Sequence, residues 1–393
     1  MAEHASEHHV TMLVRNRYTH DSRVEKEART LVAAGHRVTI VADAGPGLPE
    51  HETRDGSEVI RVGRRGPGLP GLRFVLHELR LARRLIDLRP TALHAHDSSA
   101  LVPVALAARR LGIAFVYDAH ELWLGRPRRE RSRLYFALSQ AYYGLVERLL
   151  VPRAAATMTV SPPIAAHLRD RYRLRDVALV PNYPELAGEL ERRELRALPG
   201  GEAIDPGAPV VLYLGGLMAG RGLEQLVDAV GLLPSVQLVL LGSGVLAEPL
   251  RRRAASVGAR LHALEAVAPA EVEAYAASAD VGVSPTIGSG LNNRYSLPNK
   301  LFQYMAAGIP VVASDFPQVR EIVEGARCGV VADMRRPPAI AAAIRSVISD
   351  TAEAVAMGER GRAAIADRYN WSSSAAALRT VYAGLRAGPP NEG

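Results

Sequence analysis

Short apolar runs alternate with amphipathic helical patterns along almost all of this chain. No other feature constrains its fold as much. Parallel strands cannot be joined by tight turns, because each crossover needs a dozen or more residues, usually a helix. Strand patterns fall at 10–14, 38–42, 92–94, 114–118, 157–160 and 177–180. A second series falls at 210–214, 236–241, 281–284, 309–313 and 329–332. Segment 23–34 is the clearest helix, with Val24, Ala28 and Leu31 on one face and Gly35 as its stop. Between the two series lies 197–209, ALPGGEAIDPGAP, whose Pro, Gly and acidic residues read as a linker. The expected architecture is α/β, with two doubly wound Rossmann-like domains facing a central cleft. The first spans 1–200 and the second 201–370. A C-terminal helix with its tail, 371–393, follows a break at 369–371 and could pack back on the first domain. The end of the tail, GPPNEG, reads as disordered. Ligands of such sheets bind beyond the C-terminal strand ends, at topological switch points, so the loops after strands carry the candidate chemistry.

Composition narrows the function classes. Hydrophobic residues make up 48% and charged residues 23% of the 393, an ordinary globular balance. The net charge of +7 suits anionic substrates, an anionic membrane surface or nucleic acid. Nucleic acid is set aside: no zinc-finger or helix-turn-helix signature is present, and the few aromatics do not interleave with the basic clusters. The lone Cys328 excludes an internal disulfide framework. The N-terminal residues lack the apolar core of a signal peptide, and no apolar run reaches membrane-spanning length. The expectation is a cytoplasmic protein. Segment 126–150 opens with RPRRER and continues as a basic amphipathic helix, which fits peripheral contact with the inner face of a membrane or a core-packed helix with a solvated arginine face.

The loop after the first strand, 15–21 (RNRYTHD), ends in Asp21, a plausible N-cap. Asn16 and Asp21 are read as lining the cleft, and the charged residues that follow, Arg23, Glu25, Lys26, Glu27 and Arg29, as mostly a solvated face. His96 and His120 end two later strands, in HAHD and YDAHE. The histidines and carboxylates show no familiar metal-ligand spacing, so a hydrogen-bonding role is preferred. In the second half, 214–222 (LGGLMAGRG) places Gly215, Gly216 and Arg221 in one loop after a strand, and Gly244 lies in the glycine turn after the next. Glycines allow close backbone approach to a phosphate, and a guanidinium can grip it at two points. Segment 292–315, NNRYSLPNKLFQYMAAGIPVVASD, reads as a loop, a helix opened by Pro298 with Leu301, Met305 and Ala306 at helical spacing, a Gly308 cap and a buried strand. Lys300 in the first turn of that helix conflicts with the helix dipole unless an anion sits there.

Four segments together carry a family resemblance: DSRVEKEARTLVAAGHRVTIVA from Asp21, YDAHE at 117–121, YLGGLMAGRGLEQLVDAV at 213–230 and SLPNKLFQYMAAGIPVVASD from Ser296. With them the chain resembles the retaining nucleotide-sugar glycosyltransferases of family 4, which have the GT-B fold, over about residues 9–385. The resemblance implies a nucleoside diphosphate sugar donor held by the second domain and a hydroxyl acceptor (envelope glycan, lipid or natural product) held by the first. It implies that Arg221 and Lys300 bind the diphosphate, that Gly215, Gly216 and Gly244 lie near it, that Asn299 and Gln303 contact the nucleotide sugar, with Gln303 at the ribose, and that His120 lies beside the transferred sugar. Asn16, Asp21 and His96 are the acceptor candidates. No metal or cofactor is expected if Arg221 and Lys300 neutralise the phosphates. The chain departs from the family pattern at four positions: many relatives have Arg at position 216 and Lys at 221, and the common E-x7-E pattern would place glutamates where Tyr295 and Gln303 stand. A nucleotide-sugar epimerase and a non-catalytic sugar-nucleotide-binding partner are the competing readings.

Overall fold

The computed structural model describes residues 7–63, 70–126, 132–185, 188, 190–288 and 290–385. The basic run 127–131 and the tail GPPNEG therefore lie outside the described residues. The chain divides into two compact units, residues 1–182 with 372–393, and residues 183–371. The division falls ahead of the Pro- and Gly-rich run at 197–209. That run is part of the second unit, because Leu195 and Ile204 are buried in its core.

The first unit carries an eight-stranded sheet in the order β3-β4-β2-β1-β5-β6-β7-β8. Its strands are β1 (His9–Leu13), β2 (Arg37–Asp43), β3 (His51–Arg54), β4 (Ser57–Val62), β5 (Ala92–His96), β6 (Ala114–Ala119), β7 (Ala156–Thr159) and β8 (Ala178–Leu179). All pairings are parallel except β3 with β4. Those two strands are absent from the sequence reading. They form a hairpin about Asp55-Gly56, both at positive φ, 49° and 78°, the Asp-Gly signature of a tight hairpin turn. The helices are α1 (Ser22–Ala33), α2 (Pro70–Asp87), α3 (Leu101–Leu111), α4 (Arg133–Leu150) and α5 (Pro162–Tyr172).

The second unit carries a six-stranded, wholly parallel sheet in the order β11-β10-β9-β12-β13-β14. Its strands are β9 (Val210–Leu214), β10 (Gln237–Leu241), β11 (Arg260–Leu264), β12 (Val281–Ser284), β13 (Val311–Ser314) and β14 (Gly329–Ala332). Its helices are α6 (Leu223–Gly231), α7 (Ala247–Val257), α8 (Val272–Ala276), α9 (Leu291–Tyr295), α10 (Asn299–Ala307), α11 (Pro317–Ala326), α12 (Pro337–Ile348) and α13 (Thr351–Asp367). The final helix, α14 (Trp371–Ala383), enters the first unit from Ser372 onward, where Tyr382 donates or accepts a 2.8 Å bond with His94. Successive β9 side chains point to opposite faces: Val210, Leu212 and Leu214 join one apolar core, Val211 and Tyr213 the other. A strand covered by helices on both faces is therefore apolar throughout.

In the segment 292–315, Gly308 caps α10 at φ 72°. Pro298 sits one residue before the helix as its N-cap, and the strand begins two residues later than expected, at Val311. Tyr304 locks α10 to the sheet. Its hydroxyl accepts the Leu214 N–H (2.9 Å) and lies 3.1–3.2 Å from the carbonyls of Val283 and Leu212. Gly282 makes room for the Tyr304 ring, since a Cβ there would lie 2.2 Å from it. Gly282→Ala is expected to destabilise the protein by about 1–3 kcal/mol through overpacking. A urea unfolding midpoint equal to that of the parent would contradict this packing role.

Candidate active site

Both sheets place their first strand in the middle. β1 lies between β2 and β5, and β9 lies between β10 and β12. Within each sheet, the chain leaves the central strand toward one flank and returns later to the other, which opens a crevice at the switch point. The candidate residues collect there.

In the first unit, Asn16, Asp21, His96 and His120 line one cavity of about 700 Å³, together with Arg15, His77, Asp97 and Arg126. Asp21 is the N-cap of α1, accepting the Val24 N–H (3.3 Å), and Asn16 donates to its other carboxylate oxygen at 2.7 Å. The β5–β6 register sets His96 beside Asp118. His120 Nε2 lies 2.8 Å from Asp118 Oδ2 and 3.0 Å from His96 Nδ1. Burial alone would lower the His120 pKa, but the carboxylates of Asp118 and Asp97 outweigh it and lift it to about 10. His96 is shifted the other way, downward, because burial dominates. His120 is thus an imidazolium that donates hydrogen bonds, and His96 is a neutral acceptor.

The charge that supports this pair comes from residues the sequence reading placed on a solvated face. Arg23, Lys26 and Glu27 are buried. Arg23 donates to both Asp118 oxygens at 2.9 and 2.8 Å, and its Nε lies 3.0 Å from Glu27. Although burial opposes its charge, Arg23, with His120, holds the Asp118 carboxyl well below its usual range. Burial raises Glu27 to about 8 despite Arg23, so near neutral pH it is largely protonated. Helical periodicity misses this arrangement because Asp118 lies 95 residues away from Arg23. Asp97 is a second residue without a local signal. It adopts φ 63°, ψ 166°, a backbone region that disfavours side chains, while its carboxylate accepts the His120 backbone N–H.

Glu27, His94, His96 and Asp118 bring one possible ligand atom each within 4.8 Å of one another. The sequence shows no metal-like spacing because α1, β5 and β6 contribute separately. Arg23 already directs a guanidinium at both Asp118 oxygens. A cation added to this set would face that fixed charge, so the donor set does not fit a metal.

In the second unit, Gly215, Gly216 and Arg221 follow β9, Gly244 follows β10, and Lys300 opens α10. The two glycine loops pack back to back, with the Leu217 N–H donating to the Ser243 carbonyl at 2.9 Å. A Cβ on Gly244 would lie 2.3 Å from the Leu217 carbonyl oxygen, and one on Gly242 2.2 Å from that of Gly215. Gly244 is therefore required by loop packing. Gly216 is exposed, and only the Met218 side chain lies near its missing Cβ. The Lys300 ammonium lies over the Tyr213 ring, 4.8 Å from its centre, and 4.0 Å from where a Cβ of Gly215 would stand. Burial and then the neighbouring Arg221 charge push the Lys300 pKa down to about 7. Among the described residues, neither cation is paired with a carboxylate. Both precede or open helices, α6 and α10, whose N-caps make no side-chain hydrogen bond. Two uncompensated cations at the starts of helices suit a polyanion. Asn299 is exposed and Gln303 half-buried one helical turn beyond it.

Residues 22–183 match the family described as Glycosyltransferase Family 4, and residues 208–350 match Glycosyl transferases group 1. The chain is 28% identical over 316 residues, 78% of its own length and 71% of the relative's, to the GDP-mannose-dependent alpha-(1-6)-phosphatidylinositol monomannoside mannosyltransferase of Mycolicibacterium smegmatis. It is 34% identical over 181 residues to the phosphatidyl-myo-inositol mannosyltransferase of Mycobacterium tuberculosis, a match spanning 44% of this chain and 46% of that relative. Among solved structures, sucrose-phosphate synthase from Thermosynechococcus elongatus superposes with a TM-score of 0.78 at 20% identity, covering 95% of this chain and 98% of that one. Anabaena HepE in complex with UDP-glucose superposes at 0.75 and 15% identity, covering 96% and 100%. The structural likenesses establish the fold.

The His120–Asp118 pair carries a pH signature. Because the folded pKa of His120 lies above its ordinary value of 6.5, the pair's stabilisation is complete below about pH 6.5 and is lost as pH rises through about 10. NMR titration of the His120 ring is expected to show it protonated at about pH 8, and Asp118→Asn is expected to bring its titration below that point. A parent ring that titrates near its ordinary value would contradict the assigned charge state.

Proposed function

The chain belongs to glycosyltransferase family 4 and uses a nucleotide sugar, and we propose that it transfers the sugar to an acceptor hydroxyl with retention of anomeric configuration. The observation that carries this reading is the pair of cations Arg221 and Lys300 at the β9 switch point, neither paired with a carboxylate among the described residues. The diphosphate of the donor sits there, with Gly215 and Gly216 against it and Asn299 and Gln303 toward the sugar and the ribose. Gly216 leaves open the space that an arginine occupies in many relatives. GDP-mannose is the first donor to test, because a mannosyltransferase that depends on it matches over most of both chains. The acceptor binds in the cavity of the first unit, among Asn16, Asp21, His96 and His120. An envelope lipid hydroxyl fits the phosphatidylinositol-linked activities for which the two mannosyltransferase relatives are named, and the enzyme then works peripherally at the inner face of a membrane.

Cleavage of the anomeric C–O bond leaves an oxocarbenium-like sugar and places growing negative charge on the diphosphate. Fixed cations and helix N–H groups aimed at that charge lower the barrier. Lys300 takes up its proton as the diphosphate arrives, since its low pKa comes from burial and from Arg221, and an anion opposes both. The departing phosphate oxygen accepts the proton of the attacking hydroxyl on the same face of the sugar. His120, already protonated and paired with Asp118, is a hydrogen-bond donor and cannot act as the base. No metal is needed where Arg221 and Lys300 supply the charge.

Arg221→Ala and Lys300→Ala are each expected to lower turnover about 10²–10³-fold, the usual cost of removing such a donor, with an unchanged circular dichroism spectrum. Donor turnover followed by nucleotide release, together with product anomer analysis by NMR, checks both parts. Near-parental turnover in both variants would remove the diphosphate assignment, and an inverted product would remove the retaining mechanism.

A further inference from the structure

Two polar atoms in the wall of the first-unit cavity face each other across a gap. Asp97 follows β5 and His120 follows β6, and both line the cavity, with side chains 21% and 20% exposed. Asp97 Oδ1 accepts the His120 backbone N–H at 3.2 Å. Its Oδ2 lies 3.9 Å from His120 Nδ1 and 3.9 Å from Arg126 Nη2. Those separations are too long for a direct hydrogen bond. His120 commits Nε2 to Asp118 and His96, so the Nδ1 proton of the imidazolium is left over. Among the described residues, neither Asp97 Oδ2 nor His120 Nδ1 has a hydrogen-bond partner.

The gap has the width of one oxygen atom. An oxygen about 2.8 Å from each of two atoms that are 3.9 Å apart sees them at roughly 90°. A hydroxyl tolerates that angle between its proton and a lone pair. The charges decide which group the oxygen belongs to. A phosphate or carboxylate would meet the Asp97 carboxylate, and an ammonium would meet His120 and Arg126. A hydroxyl both donates and accepts, so it serves both atoms at once. By contrast, Asn16 and Asp21 bond directly to each other at 2.7 Å, which leaves no room for a ligand atom between them. The backbone points the same way. Asp97 is held at φ 63°, ψ 166°, its N–H donating to the Asp118 carbonyl at 2.8 Å and its carbonyl accepting the Ala100 N–H at 3.0 Å. Side chains rarely occupy that region, and residues kept there cluster at functional sites.

We propose that Asp97 Oδ2 and His120 Nδ1 cradle one hydroxyl group of the acceptor, Asp97 accepting its hydrogen bond and His120 donating to its oxygen. The cradled hydroxyl is not the attacking one, whose proton passes to the departing phosphate oxygen. The acceptor therefore brings at least two hydroxyls into the cavity, as a neutral polyol does. Asp97 determines specificity, because its charge admits a hydroxyl and rejects an anion. Assignment of the hydroxyl to the acceptor rests on the acceptor reading above, and the cradle itself does not.

NMR resonances of the His120 ring read the cradle without any transfer reaction. Titration with myo-inositol, a neutral polyol, is expected to move them saturably, and inorganic phosphate is expected to leave them in place. Asp97→Asn is expected to weaken myo-inositol binding at least about tenfold, the usual loss for a hydrogen bond to a charged group. The same variant is expected to admit phosphate, because His120 and Arg126 then stand in the cavity wall without that carboxylate. Damage to the fold would create no such exchange of ligands. A crystal structure of the unliganded protein is expected to show an ordered water within hydrogen-bond distance of both atoms. A direct contact between the Asp97 and His120 side chains in that crystal would overturn the proposal. So would ring resonances that myo-inositol does not move, phosphate binding to the parent at this ring, or polyol affinity unchanged in Asp97→Asn. The affinity of a sugar nucleotide relative to its nucleoside diphosphate is expected to be equal in parent and variant. A ratio that falls in the variant, with the exchange of ligands intact, assigns the hydroxyl to the transferred sugar and counts against the acceptor reading alone.

Discussion

A parallel sheet that begins in its middle must send its early crossovers to opposite sides, and this constraint fixes where both units of the chain can do chemistry. β1 and β9 each have a later strand on either flank. The loops leaving them, 15–21 and 215–221, cannot cover the strand ends from both directions, and a crevice remains. Most candidate residues sit on loops, strand ends or helix starts near one of the two switch points, and Gln303 lies one helical turn inside α10. The rest of each sheet holds those strand ends rigid, with β9 buried at every position and β5 likewise.

The two crevices differ in how charge is balanced. In the first unit the cations are matched. Arg23 and His120 share the Asp118 carboxylate, and a second carboxylate, Asp97, lies 3.9 Å from His120 Nδ1, so the network is closed and orders the histidines. In the second unit Lys300 and Arg221 neighbour each other, and among the described residues neither is paired with an acid. Tyr304, one turn after Lys300, pins α10 to the ends of β9 and β12 so that the two cations cannot move apart cheaply. A matched network suits positioning of a neutral hydroxyl substrate. An unmatched pair suits a ligand that brings its own negative charge. This contrast supports assigning the acceptor to the first unit and the donor diphosphate to the second.

Local signals were legible and distant ones were not. The Asp21 cap, the Gly308 cap and the Lys300 conflict with the helix dipole follow from neighbours within a turn, so they can be read from sequence. β11 was missed because RLHAL is an edge strand, only half-buried, with a mixed polar pattern. The hairpin strand HETR is too polar to register, although the Asp-Gly turn beside it was a usable signal. Arg23 and Glu27 looked like surface charges because helical spacing knows nothing of a buried carboxylate across the sheet. The His94–Tyr382 contact joins residues 288 apart, and no periodicity reports it. The resemblance to family 4 named the cation pair, while the reason those cations stand where they do, Tyr304 and the glycine-packed loops, emerged only from packing.

Thermal unfolding with a panel of nucleoside diphosphates and their monophosphates tests the central claim most directly, that the Arg221–Lys300 crevice is a diphosphate site. A ligand at about 100 times its dissociation constant adds about 2.7 kcal/mol, a shift of several degrees for units of this size. One diphosphate is expected to raise the melting temperature well beyond its monophosphate, and Arg221→Met with Lys300→Met is expected to erase the difference. The shift should also be larger at about pH 6.5 than at about pH 9, because Lys300, with its pKa held near 7, must take up a proton to bind at the higher pH. Equal shifts for diphosphate and monophosphate, or a difference that survives in the double variant, would contradict the claim.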